Sequence, residues 1–368
     1  MGHDPLYARW AGPPITPRTI YNSPFTINYY LYTLNIFYMS NKIKVAILSG
    51  GDSEERVVSE KSASVVLKYL PEDKYDARII DILGAKWTDL ITGVAIDKND
   101  FSFNLHDEPW KADVVFCAIH GAPMENGVIQ GYFDILDIPY TCCDGFVSAL
   151  TMSKYLTKQV LKDRGVPMAK EVFLNKKEYE NGIDLTQIIE KLQLPLFVKP
   201  NAHGSSFGVR KVKKMEDLTS AIEFAFQFDD NILLEAFMDG REFGNGVMRV
   251  NGKIVVLPVT EIIPENEFFD FEAKYEGASL EVTPAEISPE LTKQAQELTS
   301  KIYTALDCKG FIRVDYILIG ETFHLIEANT VPGLSEASII PQQAVAYGWT
   351  LAQFFDYAVA EALAEKKR

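Results

Sequence analysis

From residue 42 onward the chain predicts an α/β unit followed by α+β units, and three features carry that reading. Short apolar strands alternate with amphipathic helices up to Thr141, the order expected of a parallel sheet covered by helices. Beyond Thr141 apolar runs come in pairs joined by polar loops, the antiparallel pattern. Finally, Phe311 to Gly333 reads FIRVDYILIGETFHLIEANTVPG, with alternating residues around a Gly320-Glu321 turn, which predicts a β-hairpin.

The elements follow in order. No charged residue occurs from Thr19 to Asn41, and YYLYTLNIFYM is apolar and tyrosine-rich. That run is about half the length needed to cross a bilayer, and no small-residue cleavage site follows it. With Pro13, Pro14, Pro17 and Pro24 opposing regular structure, residues 1–40 are expected to be a disordered extension, with Met39 as the functional start and no membrane association. KIKVAILSGG is a buried strand ending in Gly50-Gly51, and ERVVSEKSASVVLKYL is the helix behind it. ARIIDIL, DVVFCAI and DIPYT continue the sheet, with a helix starting near Val128, so residues 41–141 form an N-terminal parallel α/β, Rossmann-like domain. A small central α+β domain over 142–237 opens with one helix through SALTMSKYLTKQVLKDR, stopped by Gly165 and Pro167. Its strands LPLFVKP and VRKV are joined by NAHGSSFG, and the helix MEDLTSAIEFAFQF leads to the strand NILLEAFM. The larger C-terminal α+β domain over 238–368 holds FGNGVMRV, KIVVLPVTEII, a helix from Pro289 to Leu306, the hairpin and a final helix from Thr350 to Glu365.

The 368 residues, 47% hydrophobic, are ordinary for a protein with real cores, and a formal charge of −15 argues against a nucleic-acid surface. Any anionic ligand must be met by local lysines. Cys117, Cys142, Cys143 and Cys308 show no CxxC spacing, which predicts reduced thiols in a cytoplasm and no structural zinc.

If the hairpin folds symmetrically about Glu321, Asp315 faces Glu327 and Arg313 faces Asn329, all four on one side of the sheet. Like charges directly opposite are destabilising. A divalent cation removes the conflict, and a few close oxygen donors suit Mg²⁺ completed by water and substrate phosphates; the alternative is a solvated polar face. The NAHGSSFGV loop lies between strands and is no Walker loop. Gly204 and Gly208 still let backbone N–H groups converge on an anion, Ser205 and Ser206 add hydroxyls, and Lys199 brings charge from LPLFVKP. A flexible hairpin would share the glycines. It would seldom carry a lysine inside an apolar run, where an unpaired ammonium is costly.

Lys154, on a helix, has the properties of an ordinary solvated lysine. Glu235 ends an apolar strand, where a carboxylate accepts from an exocyclic amine and the backbone of Ala236 and Phe237 pairs with a ring nitrogen, as adenine requires; the alternative is a solvated strand end. Glu242 suits ribose hydroxyls or plain surface. GGDSEE lacks the GxGxxG spacing and is acidic, so Glu55 suits an amino group better than a pyrophosphate. His120 follows the third strand at the carboxyl end of the sheet, where such folds bind ligands. Lys274 and Tyr275 in DFEAKYEG fall on a charged connection that reads as a lid or as a plain loop.

In order, the chain carries SGGDSEERVVS, AIHGAPMENGVIQG, IPYT, SALTMSK, FVKPNAHGSSFGV, LLEAFM, FEAKY, CKGFIRVDY and LIEANTVPGLSEASIIP. These motifs resemble the D-alanine:D-alanine ligases of the ATP-grasp superfamily, from Lys42 to the C-terminus. The resemblance implies an ATP-grasp architecture and ATP-dependent joining of two D-alanines through an acyl phosphate, for peptidoglycan precursors. It implies that Lys154, Lys199 and the Ser205-Ser206 loop hold phosphates, that Glu235, Ala236, Phe237 and Glu242 hold adenine and ribose, and that Lys274 reaches the γ-phosphate. It further implies two Mg²⁺, or Mn²⁺, on Asp315, Glu327 and Asn329. Glu55, with His120 nearby, would take the first substrate's ammonium, and Ser338 and Ile339 the second substrate's carboxylate. Arg313 and the Gly333 backbone would stabilise the oxyanion. Glu55, Ser205 and Tyr275 would tie first domain, central loop and lid together, and the molecule would be a cytoplasmic homodimer.

Relatives that make the D-alanyl-D-lactate ester resemble this pattern with phenylalanine at the position of Tyr275, so tyrosine favours the dipeptide. Ala236 stands where lysine is common, Phe269 where tyrosine is, and Cys142-Cys143 where Gly-Ser occurs. Other readings are a different carboxylate-amine ligase, a nucleotide-binding regulator without catalysis, and a nicotinamide dehydrogenase, the last leaving the hairpin and lid unexplained.

Overall fold

Eight residues, IKVAILSG, are apolar at nearly every position and form the strand β1 (Ile43–Gly50), buried on both faces as a parallel central strand must be. The computed structural model describes residues 42–204, 207–264 and 279–366. After β1 come α1 (Arg56–Tyr69), β2 (Tyr75–Leu83), β3 (Lys86–Asp89), β4 (Ser102–Leu105), β5 (Glu108–Lys111), β6 (Val114–Cys117) and α2 (Val128–Ile135). The first sheet has the order β3-β2-β1-β6, with β2 and β6 parallel to β1 and β3 antiparallel to β2. The edge strand β3 and the β4–β5 hairpin were not foreseen; Phe103 and Trp110 of the hairpin bury against one face of this sheet. DIPYT does not form the expected strand. Pro139 has no N–H to donate, and the segment meets β6 through the isolated Val115–Tyr140 bridge and the Thr141 hydroxyl, which accepts from Cys117 N at 3.0 Å.

The single helix expected after Thr141 is two helices, α3 (Gly145–Met152) and α4 (Lys154–Lys162). Ser153 is extended between them, and its hydroxyl accepts from Leu156 N at 3.3 Å. Asn201 completes the cap from 46 residues away, its side-chain oxygen accepting from Tyr155 N at 2.9 Å. Then follow β7 (Glu171–Asn175), α5 (Lys176–Glu180), α6 (Leu185–Leu192), β8 (Leu196–Pro200), β9 (Arg210–Val212), α7 (Leu218–Ala225) and β10 (Asn231–Ala236). They build an antiparallel sheet of order β7-β10-β8-β9 whose core is drawn entirely from residues 174–234.

The third sheet, β13-β12-β11-β14-β15, is also antiparallel: β11 (Arg241–Val250), β12 (Lys253–Pro264), β13 (Ser279–Val282), β14 (Phe311–Ile319) and β15 (Thr322–Asn329). Helix α8 (Pro289–Ala305) starts at the Ser288 cap and packs Ala295, Ile302 and Tyr303 against it. After α9 (Ile339–Tyr347), the terminal α10 (Leu351–Lys366) inserts Phe354, Phe355, Ala358 and Val359 into a core shared with β1, α1 and β6. Among the described residues no helix is long and apolar enough to cross a membrane.

Candidate active site

Asp315 does face Glu327, and Arg313 faces Asn329, but not by a symmetric fold-back. The turn is the two-residue Gly320-Glu321, with Ile319 paired to Thr322 and Gly320 at φ +59°. Continued without interruption, that register would set Asp315 against Ile326. A bulge shifts the pairing between Asp315 and Tyr316, and the carboxylates come opposite each other.

Asp315 is buried and is gripped by both arms of the Arg313 guanidinium, Nε to Oδ1 at 2.7 Å and Nη2 to Oδ2 at 2.8 Å. Burial alone would ease the proton off Arg313, but Asp315, Glu327 and Glu281 hold its pKa above the ordinary value. Glu327 lies 3.2 Å from Lys154 Nζ, which also donates to His203 O at 2.9 Å. The helix break explains this placement: Lys154 is the first residue of α4 and reaches across to the 201–204 loop. Gly244 lies opposite Asp315 on β11, where a side chain would crowd both Asp315 and Arg313.

From the first sheet, Gly50 and Gly51 turn at φ +92° and +98° and direct Glu55 towards the 201–204 loop. A side-chain carbon on Gly121 or Gly204 would stand 3.1 or 3.0 Å from Glu55 Oε2, so a larger residue at either would crowd the carboxylate where it passes between the two segments. His120 is buried and contacts Ser62 Oγ through Nε2 at 2.9 Å, while Ser62 Oγ accepts from Leu334 N at 3.2 Å. Burial pushes the His120 pKa down to about 4 against the pull of the Val331 backbone, and Arg313 adds to the fall. The neutral imidazole therefore anchors the loop that carries Gly333 to Ser338. Gly333 abuts the Ser338 hydroxyl, which Ser335 contacts at 2.8 Å.

Two adjoining cavities share Lys154, Glu242, Asp315 and Glu327. The larger, ≈ 440 Å³, is lined by Lys199, Glu235, Ala236 and Phe237 under an apolar wall that includes Phe197 and Ile317. The smaller, ≈ 180 Å³, is polar and lined by Glu55, His120, Arg313, Asn329, Gly333, Ser338 and Ile339. Thus each expected site residue among those described lines one of these cavities. Ser205, Ser206, Phe269, Lys274 and Tyr275 lie outside the described residues.

Glu235 is not a solvated strand end. It is buried and bonded to two lysines, Lys199 and Lys158. Lys158 was missed in the sequence, although it sits one helical turn beyond Lys154, on the same face. Glu125 was missed as well. It lines the smaller cavity, and its carboxyl is pushed up to about 8, first by burial and then by Glu55 and Glu327. The AIHGAPMEN segment placed it five residues after His120, but nothing in its spacing marked it.

Oxygen donors for a hard cation are present on Asp315, Glu327 and Asn329. Among the described residues no three His, Cys, Asp or Glu converge on a metal-sized point. Such a donor set fits Mg²⁺, which keeps several water or phosphate ligands, better than an ion that demands an all-protein cage.

Comparison with known proteins agrees with this geometry. Residues 44–143 match the family model described as D-ala D-ala ligase N-terminus, and residues 160–359 the one described as D-ala D-ala ligase C-terminus. The D-alanine--D-alanine ligase of Phocaeicola vulgatus is 44% identical over 313 residues, covering 83% of this chain and 95% of that protein. That of Flavobacterium johnsoniae is 44% identical over 323 residues, covering 87% and 99%. Among solved structures, the VanG D-Ala:D-Ser ligase from Enterococcus faecalis superposes with a TM-score of 0.79 at 31% identity, covering 87% of this chain and 99% of that one. D-alanyl-alanine synthetase A from Vibrio cholerae gives 0.80 at 25% identity, covering 88% and 99%. The chain belongs to the D-alanine–D-alanine ligase family, with the ATP-grasp fold.

Proposed function

We propose that this protein joins two D-alanines into D-alanyl-D-alanine at the expense of ATP, for peptidoglycan precursor synthesis. The observation that carries the reading is the Asp315–Glu327 pair. It forms the floor shared by a nucleotide-sized cavity with an apolar wall and a smaller polar cavity that presents Glu55 and Arg313. The first D-alanine binds by its ammonium at Glu55, and its carboxylate takes the γ-phosphoryl group to become an acyl phosphate. The second, held by its carboxylate at Ser338 and Ile339, attacks through its amine, and ADP and phosphate leave.

In such a transfer a protein chiefly positions the reactants and neutralises charge. Lys154, Lys199, Ser205 and Ser206 hold phosphates, Lys274 the γ-phosphate. Glu235, Ala236 and Phe237 read adenine, and Glu242 the ribose. Arg313 and the Gly333 N–H meet the oxyanion. Asp315, Glu327 and Asn329 would hold two Mg²⁺, replaceable by Mn²⁺, which when bound supply positive charge to the phosphate oxygens. Glu55, Ser205 and Tyr275 close the site, and Tyr275 favours an amine over a hydroxyl acceptor. Domains divided at 141 and 237, a homodimer joined through the first domain, and a cytoplasmic location complete the reading.

The test is ADP release by the purified protein with Mg²⁺ and ATP, with products identified by mass. D-alanine alone should give the dipeptide, L-alanine nothing, and D-lactate or D-serine beside D-alanine little mixed product. No ADP release despite ATP binding would overturn the reading, and predominant D-alanyl-D-serine would move the assignment to the second acceptor named for the Enterococcus relative.

A further inference from the structure

Glu171 and Glu235 are directly opposite on β7 and β10, so their side chains share a face of the second sheet. Lys199, on β8 opposite Leu233, projects from that same face. Two carboxylates in this relation repel, and Glu235 is 5% exposed, too buried to be relieved by water. The relief comes from α4. Lys158 is 1% exposed, contacts Glu235 Oε1, and stands 3.4 Å from Glu171 Oε2, an atom with no hydrogen-bond partner. Glu171 is held from its other oxygen by Gln159 Nε2 at 2.9 Å. Lys199 contacts the remaining oxygen of Glu235, from the cavity side. Lys158 lines neither of the two cavities, which leaves it no direct reach to a ligand there.

We propose that Lys158 is a positioning residue for nucleotide recognition: it is the permanent counter-ion of Glu235, fixing that carboxylate towards the nucleobase amine and freeing Lys199 for the phosphates. The inference rests on the assignment of Glu235 to adenine. Its physical core is competition for Lys199. Lys199 contacts Glu235 in the structure; when phosphate draws Lys199 away, a buried carboxylate facing Glu171 keeps a partner only because Lys158 stays. Without Lys158, Glu235 and the phosphates contend for one ammonium, and the carboxylate loses the contact that fixes its rotamer.

The experiment compares ATP with ITP, whose 6-oxo group presents an acceptor where ATP presents an amine, in the full-length enzyme. Lys158→Met is expected to raise the ATP KM at least tenfold with kcat and the D-alanine KM within about threefold, and to shrink the ATP-over-ITP preference in kcat/KM by a similar factor. Glu235→Gln should shrink the same preference, and the double variant should be no worse than the poorer single one. Lys158→Arg keeps the charge on a bulkier planar head and should recover part of the preference. Lys158→Gln, which keeps a polar tip without the charge, carries the test if Lys158→Met does not fold. A charge-removing Lys158 variant that loses thermal stability but keeps the wild-type ATP-over-ITP preference, while Glu235→Gln loses it, overturns the proposal. A preference unchanged in Glu235→Gln overturns instead the assignment of Glu235 to the base.

Discussion

Glu171 faces Glu235 across β7 and β10, just as Asp315 faces Glu327 across β14 and β15, and the fold resolves the two conflicts differently. In the second sheet the cation is resident: Lys158 is sealed beneath the strands by α4. In the third sheet the cations come from the rim. Arg313 holds Asp315 from the same strand, and Lys154 approaches Glu327 from the first turn of another helix, with a cavity on either side. On the roles proposed above, the same local repulsion serves positioning where the neutralising charge cannot leave, and ligand binding where charge can be exchanged.

The largest effect should come from breaking the rim arrangement. Arg313→Ala is expected to cut kcat roughly 10²–10³-fold in an ADP-release assay, the usual consequence of losing one preorganised oxyanion donor. Breaking the resident pair should register first in stability. Lys158→Met leaves buried Glu235 against Glu171 with only Lys199, and urea unfolding of the ligand-free protein should show a loss of about 3 kcal/mol. Asp315→Asn, by contrast, removes a repelling charge at a site whose cations are shared. It should change unfolding free energy by no more than about 1 kcal/mol while raising the Mg²⁺ concentration needed for half-maximal turnover, so a large stability loss there would erase the contrast between the sheets.

Acid should distinguish them further. The folded pKa of His120, about 4, lies below its ordinary 6.5, so the unfolded chain binds more protons in that window. Its stabilising contribution is therefore complete above the unfolded value and declines as pH falls towards 4. Between pH 6.5 and 5 the expected loss is about 1.5 kcal/mol, followed by chemical denaturation at each pH, and His120→Gln should flatten it. Because His120 lies in the field of Arg313 and not of Lys158, Lys158→Met should leave that slope unchanged.

Much of this site was legible because strand periodicity is strict. Alternation put Arg313, Asp315, Glu327 and Asn329 on one face, and the expected pairs are correct although the reason is a two-residue turn plus a bulge. Composition cannot distinguish those routes to one register. The break at Ser153 was hidden because the apolar spacing runs through it; what starts a second helix there is the Ser153 cap completed by Asn201, a contact between distant segments. Lys158 looked like any helical lysine, since its burial depends on the register of β7 against β10, and Glu125 acquires its raised pKa only when three segments of chain converge. The first sheet's edge strand β3 and the β4–β5 hairpin were lost in a polar stretch whose few large side chains, Trp87, Phe103 and Trp110, carry the packing.

The terminal helix α10 bolts the first and third sheets together. Phe116 of the first sheet stacks near Phe311 of the third and Phe355 of α10, with ring centroids 6.1 and 5.7 Å apart, and Phe354 and Val359 seal the seam. Prising these sheets apart would wet a whole aromatic layer, whereas the second sheet closes a core of its own and meets α4 through contacts that include Lys158 with Glu235 and Tyr155 N with Asn201 Oδ1. Glu55 and His120, carried by the first sheet, and Arg313, carried by the third, are thereby held in one register around the smaller cavity.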